Sequence, residues 1–336
     1  MKRSLLKKVM AVGFAAVMLC GSILFAGCKN SVPKGDISVY MPDGAPALAL
    51  AKLLQEDTEV DGVSYRVVRS DLIAAQVTNK DETKNADLCV MPLTAAAKLL
   101  GSGERYTMLG AVTQGNLYLI SENGNALTEL SELRGKTVGV LQIDNVPGLV
   151  FKSILNKYNL EWSVTETENE NAVRLEGILS ASEVVKGDRF DYYVLAEPAV
   201  SVQVKKNGFS IFADLQTLYG GENGYPQAVL VAKKTLVAEK TDWVRAFVQK
   251  VTESGARLTE MTGEEIVQAV KSHLADEGAG TSLNAATLSA EALSRCGVRY
   301  SPSKECAVRA NALLQDFLKI QPAVTALPKS EFYWME

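Results

Sequence analysis

Buried apolar segments alternate with helical segments along most of this chain. Residues 37–41 predict a buried strand, and the Pro-Asp-Gly turn that follows leads into a helix over 45–54. The same succession recurs over 140–155, where a Val, an Asp, a Pro and two Leu of 39–54 return at a constant spacing. Alternating strands and helices require mostly parallel sheets with right-handed crossovers. We therefore predict an α/β fold.

A second, looser pair of segments has the same arrangement. The strand predicted at 86–92 ends in a proline and runs into a helix, and so does the strand at 190–198. Each half of the chain thus alternates strand and helix twice, which predicts two α/β lobes of similar plan. Extended segments at 106–121 and 225–232 connect them. These two connections, called the crossings below, form a hinge about which the lobes can close on a ligand.

These crossings set the predicted boundaries. Lobe one comprises residues 37–113 and 235–336, and lobe two comprises residues 114–234. The C-terminal part of lobe one is helical in pattern, and we expect it to pack on lobe one. The length of 336 residues agrees with two lobes, because it exceeds one ordinary hydrophobic core.

The N-terminus has the order of a secretory leader. A basic head precedes an uncharged apolar run over 9–25, and small residues follow. Leu24–Cys28 resembles a bacterial lipobox, whose cysteine receives a diacylglycerol. The resemblance implies a signal peptide over 1–27, lipidation of Cys28, a tether over 28–36 and a location on the outer face of the cell membrane. The alternative is an uncleaved transmembrane anchor, since the apolar run is nearly long enough to span.

Charge and composition argue against several classes of protein. The net charge of −4 becomes more negative once the basic leader is removed, and no basic patch remains to bind nucleic acid. The chain has no CxxC motif and no pair of histidines, so we expect neither a metal nor a cofactor. The single histidine, His273, lies on a polar helix face, which argues against a Ser-His-Asp site. Outside the cytoplasm, Cys296 and Cys306 could form a disulfide.

The candidate ligand site follows from a general property of open α/β sheets. Ligands bind beyond the carboxyl ends of the strands, where helix N-termini point. We therefore expect the loops after the predicted strands to form the walls of a cleft and the two crossings to form its floor. Gln227, in the second crossing, is expected to line this floor as well. The candidate ligand-binding residues are Asp43, Gly44, Ala45, Pro92, Leu93, Thr94, Thr113, Gln114, Asn116, Gln142, Asp144, Asn145, Glu197 and Tyr225.

The polarity of these loops favours one class of ligand. They carry acidic side chains but no lysine or arginine, whereas a receptor for an anion usually places an arginine in its site. We therefore expect a neutral or amine-bearing ligand, for which Glu197 could accept a hydrogen bond. An aromatic heterocycle could stack on Tyr118, Tyr193 or Tyr225. The alternatives are that the aspartates and Glu197 only begin helices, and that the tyrosines belong to the core.

Several segments together resemble one family. Val39–Leu54, Ala86–Pro92, Leu133–Val140 and Ala196–Pro198 are similar, in this order, to blocks of ABC transporter substrate-binding lipoproteins of the nitrate/sulfonate/thiamine-precursor type. The resemblance implies a type II periplasmic-binding-protein fold. It also implies delivery of a small molecule to a permease with a cytoplasmic ATPase, without identifying that molecule. We expect a monomer, and a ligand such as a thiamine-precursor pyrimidine.

Three other functions remain open at this point. The first is an anion receptor of the same family, for sulfonate or nitrate. The second is a surface or sensory lipoprotein without a role in transport. The third is an enzyme on the same fold, against which the leader and the position of His273 both count.

Overall fold

A computed structural model describes residues 37–56, 62–122, 129–187, 189–276, 278 and 280–336. The predicted leader, the lipidation site Cys28 and the tether lie outside the described residues. Within those ranges, no helix is both long and apolar enough to cross a membrane.

The strands and helices predicted from the sequence are present in the predicted order, and further strands lie between them. The strands are β1 (Ile37–Pro42), β2 (Val63–Val68), β3 (Leu88–Pro92), β4 (Tyr106–Gln114), β5 (Leu117–Ser121), β6 (Thr137–Leu141), β7 (Trp162–Ser163), β8 (Val173–Ile178), β9 (Tyr192–Ala196), β10 (Ser210–Asp214), β11 (Pro226–Lys233) and β12 (Val298–Pro302). The helices are α1 (Ala45–Leu48), α2 (Ala51–Gln55), α3 (Leu93–Leu100), α4 (Val146–Lys157), α5 (Ala199–Asn207), α6 (Leu215–Gly220), α7 (Lys234–Glu239), α8 (Thr241–Ala256), α9 (Gly263–Lys271), α10 (Ala290–Arg295) and α11 (Ser303–Ile320).

The strands form two six-stranded sheets of similar plan. Their orders are β12-β4-β11-β3-β1-β2 and β10-β5-β9-β6-β8-β7. In the first sheet β1 is parallel to β2 and β3, and β11 is antiparallel to β3. In the second sheet β6 is parallel to β8 and β9, and β5 is antiparallel to β9. The series β2-β1-β3-β11 thus corresponds to β8-β6-β9-β5, which confirms the predicted α/β fold with two similar lobes.

The two crossings lie close together, and the second is earlier than predicted. The chain leaves the first sheet after Gln114 and enters the second at Leu117. It returns at Pro226, because β11 pairs with β3 and with β4 of the first sheet. The predicted boundary at residue 234 therefore falls at the wrong end of β11. From here on, the first lobe is 37–114 with 226–336, and the second lobe is 117–225.

The first sheet separates two hydrophobic cores. Met91 and Val231 face the core that contains α3 and α11, whereas Val90 and Leu230 face the core that contains α8 and α9. Helices α8 and α9 pack against α2, so the C-terminal region covers the first lobe as predicted. Helix α11 also contacts α4 of the second lobe, which the sequence did not indicate.

The helix predicted over 45–54 is interrupted. Helix α1 ends at Leu48 and α2 begins at Ala51, with a turn at Ala49 and Leu50 between them. Every residue from Ala47 to Ala51 is buried. Packing on all sides, rather than one amphipathic face, therefore determines the path of this segment.

The disulfide that the sequence allowed between Cys296 and Cys306 is not formed. Both are free, buried thiols. Cys296 belongs to the core with α8 and α9, and Cys306 belongs to the core with α11. The two thiols therefore lie on opposite faces of the first sheet. The Cys296 thiol donates to the Ala292 carbonyl and the Cys306 thiol to the Ser301 carbonyl. Spacing along the chain could not reveal which face of the sheet each cysteine occupies.

These thiols should be unreactive in the folded protein. Burial raises the pKa of the Cys89 and Cys296 thiols well above their ordinary value, and thiol reagents attack the thiolate. We expect Cys89, Cys296 and Cys306 to resist an aromatic disulfide reagent until guanidinium unfolds the chain, as read by peptide mass spectrometry. A linked Cys296–Cys306 peptide from untreated protein would contradict this structure.

Candidate functional site

A cavity of about 510 Å³ lies between the two lobes. The carboxyl ends of four strands line it, through Pro42 of β1, Pro92 of β3, Leu141 of β6 and Ala196 of β9. Residues of the crossings, including Thr113, Asn116, Gln227 and Ala228, also line it. The position is the one that open α/β sheets generally offer to a ligand.

Eight of the candidate residues, together with Gln227, line this cavity. They are Ala45, Pro92, Thr94, Thr113, Asn116, Gln142, Asn145 and Glu197. The remaining candidates Asp43, Gly44, Leu93, Gln114, Asp144 and Tyr225 lie outside its lining.

The two candidate aspartates have other contacts. Thr281 Oγ1 and the Ser282 amide donate to the Asp43 carboxylate, which ties a C-terminal loop to the loop after β1. Asp144 is exposed, and its carboxylate lies 3.7 Å from Lys152 Nζ. Neither aspartate caps a helix through its side chain, because the N-cap residues of α1 and α4 are Gly44 and Asn145.

The other excluded candidates are part of the packing. Leu93 and Tyr225 are buried in the core, and Gln114 Nε2 donates to the Arg299 carbonyl at 3.2 Å. Tyr118 is buried, and its hydroxyl donates to the Arg295 carbonyl at 3.2 Å. Tyr193 is also buried in the core. None of the three tyrosines predicted to stack on a ligand lines the cavity.

The structure adds Ser70 and Asp71 to the candidate site. They lie in a short 3₁₀ turn just after β2 and line the cavity. A side-chain hydrogen bond from Arg69 lowers the pKa of the Asp71 carboxyl, which therefore stays ionised at neutral pH. The alternation of apolar and polar residues over 63–68 predicts a strand, whose carboxyl end could have indicated this turn.

Glu197 is fully buried, and both oxygens of its carboxylate accept hydrogen bonds from the protein itself. Arg295 Nε donates to Oε1 at 2.7 Å, and Ser201 Oγ donates to the same oxygen at 2.9 Å. The amide of Ser201, in the first turn of α5, donates to Oε2 at 3.0 Å. The carboxylate therefore neutralises Arg295 and the N-terminus of α5, and both oxygens already have donors from the protein in place of the ligand amine that the sequence suggested.

Two amide side chains of the cavity wall carry unsatisfied carbonyl oxygens. Asn116 Nδ2 donates to the Glu197 carbonyl at 3.0 Å. This bond fixes the side-chain amide, so Oδ1 points away from that carbonyl. Among the described residues, neither Asn116 Oδ1 nor Gln227 Oε1 has a hydrogen-bond partner, although both atoms are buried. A buried acceptor without a donor costs about 1–3 kcal/mol. These two oxygens are therefore the candidate acceptors for a molecule that donates hydrogen bonds.

The cavity lining is otherwise poor in charge. Asp71 and Glu197 are its only charged side chains within the described chain, and neither lysine nor arginine contributes. Helices α3 and α4 begin at the cavity, where Thr94 and Val146 lie in their first turns. Pro147 removes one of the free amides that α4 would offer. Among the described residues, no cluster of histidine, cysteine or carboxylate side chains could hold a metal.

The loop after β6, which carries Gln142 and Asn145, is held by α4. The buried Lys152 Nζ donates to the Ile143 carbonyl at 3.1 Å. A Cβ at Gly148 would lie 1.9 Å from that same carbonyl oxygen, so only glycine allows the helix to approach this closely. Desolvation lowers the pKa of Lys152, although Asp144 opposes the shift.

This lowered pKa predicts a pH dependence of stability. Between the folded pKa and the ordinary value of 10.5, the unfolded chain binds more protons than the folded one. The contribution of Lys152 to the free energy of unfolding should therefore rise as the pH rises through the folded pKa towards 10.5. Urea unfolding of the native protein and of Lys152→Met between pH 7 and pH 10 isolates this slope. An equal pH dependence of the two proteins would contradict it.

The comparisons with known proteins agree with this architecture. The sequence profile of the family described as "NMT1/THI5 like" matches residues 74–261, more than half of the chain. A sequence search of curated proteins finds no match.

Solved structures of similar shape include three binding or transport proteins. An ABC transporter from Parabacteroides distasonis is 21% identical with a TM-score of 0.70, over 90% of this chain and 99% of that one. The periplasmic aliphatic sulphonate binding protein SsuA from Escherichia coli is 12% identical with a TM-score of 0.61, over 89% and 91%. The alkanesulfonate-binding protein SsuA from Xanthomonas axonopodis pv. citri, bound to MOPS, is 12% identical with a TM-score of 0.53, over 89% and 97%.

At these identities the solved structures establish the fold and carry no ligand over to this chain. The family profile covers both crossings and the whole second lobe. The chain therefore belongs to the NMT1/THI5-like family and has the type II periplasmic-binding-protein fold.

Proposed function

We propose that this protein is the solute-binding component of an ABC importer. A monomer, anchored by lipid at Cys28 outside the cytoplasm, would bind a small molecule, close its lobes and deliver the solute to a permease with a cytoplasmic ATPase. The observation that carries the proposal is the cavity at the strand ends of two lobes of the same plan. A ligand that contacts both lobes favours the closed state, since only that state makes both sets of contacts.

The solute that suits this cavity is a neutral or amine-bearing small molecule, such as an aminopyrimidine. A molecule of this size fits a cavity of about 510 Å³, which is within the range of small-molecule binding sites. The unsatisfied oxygens of Asn116 and Gln227 are acceptors for the N–H groups of such a solute. The absence of lysine and arginine from the described lining counts against an anion.

A small anion is the second candidate. The first turns of α3 and α4 at the cavity are the observation that favours it, because free amides and the helix dipole attract negative charge. The two candidates differ in the charge of the solute, so one panel of compounds distinguishes between them.

A thermal-shift screen followed by calorimetric titration tests the proposal. The panel contains aminopyrimidines, nucleobases, amines, sulfonates and aromatic acids. A solute that binds only the folded protein adds about 2.7 kcal/mol of stability at a hundred times its dissociation constant. We expect shifts from compounds with N–H donors. Binding of sulfonates alone would contradict the class of solute, and binding of nothing in the panel would count against the receptor itself.

Gln227→Met should change stability and binding in opposite directions. The substitution removes an unsatisfied buried carbonyl, so the free energy of unfolding of the free protein should not fall and should rise by up to about 1 kcal/mol. Affinity for a hydrogen-bond-donating solute should fall about tenfold, because its acceptor is lost. Urea unfolding and calorimetric titration measure the two effects. A destabilised variant with unchanged affinity would show that Gln227 only supports the fold.

A further inference from the structure

We infer that Glu197 is a specificity residue that keeps the guanidinium of Arg295 away from the solute cavity. Without its carboxylate, the same cavity would accept a small anion such as a sulfonate or a carboxylate. The inference rests on the proposed function, because it concerns the selectivity of the same cavity.

Glu197 and Arg295 line different cavities. Glu197 lines the solute cavity, with its side chain fully buried. Arg295, whose Nε lies 2.7 Å from the Glu197 carboxylate, lines instead a second cavity of about 310 Å³. The hydrogen-bonded carboxylate thus holds the guanidinium beside the second cavity. On this proposal, its removal would open a path from the guanidinium to the solute cavity.

The guanidinium would remain in place after this change. Arg295 Nη1 donates to Glu291 at 2.6 Å, and Nη2 donates to Ser201 Oγ at 3.0 Å. Glu291 is 81% exposed, so solvent screens its charge, whereas Glu197 is the buried counter-charge. Loss of the Glu197 carboxylate would leave a held guanidinium with an unused N–H donor, which is a suitable partner for an anion.

The arrangement goes beyond what a helix start requires. An acid at the N-terminus of α5 would satisfy the Ser201 amide without any cation. Here the acid belongs to the second lobe, and the arginine comes from α10 of the first lobe. The pair holds a cation away from a cavity whose described lining contains neither lysine nor arginine. Glu197 therefore excludes anions by covering Arg295.

The test measures anion binding by the purified protein and its variants. Methanesulfonate and acetate are titrated into wild type, Glu197→Ala, Glu197→Gln and the double variant Glu197→Ala/Arg295→Met, with sodium chloride at equal ionic strength as the reference. We expect Glu197→Ala to bind one of these anions at least about tenfold more tightly than wild type. The double variant should lose this gain. Glu291→Gln, which alters only the exposed partner of Arg295, should bind anions like wild type.

Three results would overturn the inference. In the first, Glu197→Ala folds but binds anions no more tightly than wild type. In the second, the gain in affinity persists in the double variant. In the third, wild type binds methanesulfonate and Arg295→Met abolishes this binding. If Glu197→Ala does not fold, Glu197→Gln replaces it, with a smaller gain expected because the amide keeps the shape. Failure of wild type to bind any donor-bearing solute would count against the proposed function alone and would leave the anion comparison intact.

Discussion

Replacing Arg295 with methionine should lower the free energy of unfolding by about 3–5 kcal/mol. The substitution leaves the carboxylate of Glu197 fully buried without its cation. It also removes a contact between the lobes, since Arg295 belongs to the first and Glu197 to the second. Urea unfolding, followed by circular dichroism, measures the loss. The effect should be among the largest that a single substitution produces in this protein.

The matched control is Arg299→Met, a few residues along the chain. Arg299 is exposed and donates from Nη2 to the Asn223 carbonyl, so its loss should cost less than about 1 kcal/mol. The double variant Glu197→Gln/Arg295→Met should recover much of the loss, because it removes the uncompensated charge. Equal losses in Arg295→Met and Arg299→Met would mean that the buried pair contributes no more than a surface contact.

Replacing Ala95 with tryptophan should weaken solute binding about a hundredfold or more, equivalent to about 2.7 kcal/mol of binding free energy. Ala95 lies in the first turn of α3 and lines the cavity, so an indole at this position would occupy space that the solute needs. Calorimetric titration with the tightest solute of the screen measures the change.

Leu99→Trp is the control on the same helix. Leu99 is 39% exposed and is not among the residues that line the cavity, so the same increase in size should leave the affinity unchanged. Melting temperatures of both variants identify any general loss of structure. Full binding by Ala95→Trp would place the solute elsewhere on the molecule.

The strand ends that form the cavity could be predicted because their signals are local. In each lobe a run of apolar residues ends at a turn and is followed by a helix, and the recurrence of 39–54 at 140–155 marks β1 and β6 as counterparts. The carboxyl ends of parallel strands then lie at one edge of each sheet. Ala45, Thr94, Gln142 and Asn145 line the cavity for this reason.

The partner of Glu197 could not be predicted in this way. Arg295 lies 98 residues further along the chain, in a part of the first lobe without the repeat. Only the folded chain brings the two side chains together, since α5 packs against the 3₁₀ turn at Ala285–Thr287 just before α10. The same limit explains the second boundary, because the apolar run of β11 indicates a buried strand without indicating which sheet it joins.

A crystal structure with the tightest solute of the screen would locate the binding site. We predict one solute molecule between the lobes, in contact with the Pro92–Thr94 turn on one side and the loop of Gln142 and Asn145 on the other. It should donate a hydrogen bond to Asn116 or Gln227. A solute bound outside this cavity, or an anion held by Arg295 in the native protein, would contradict the account.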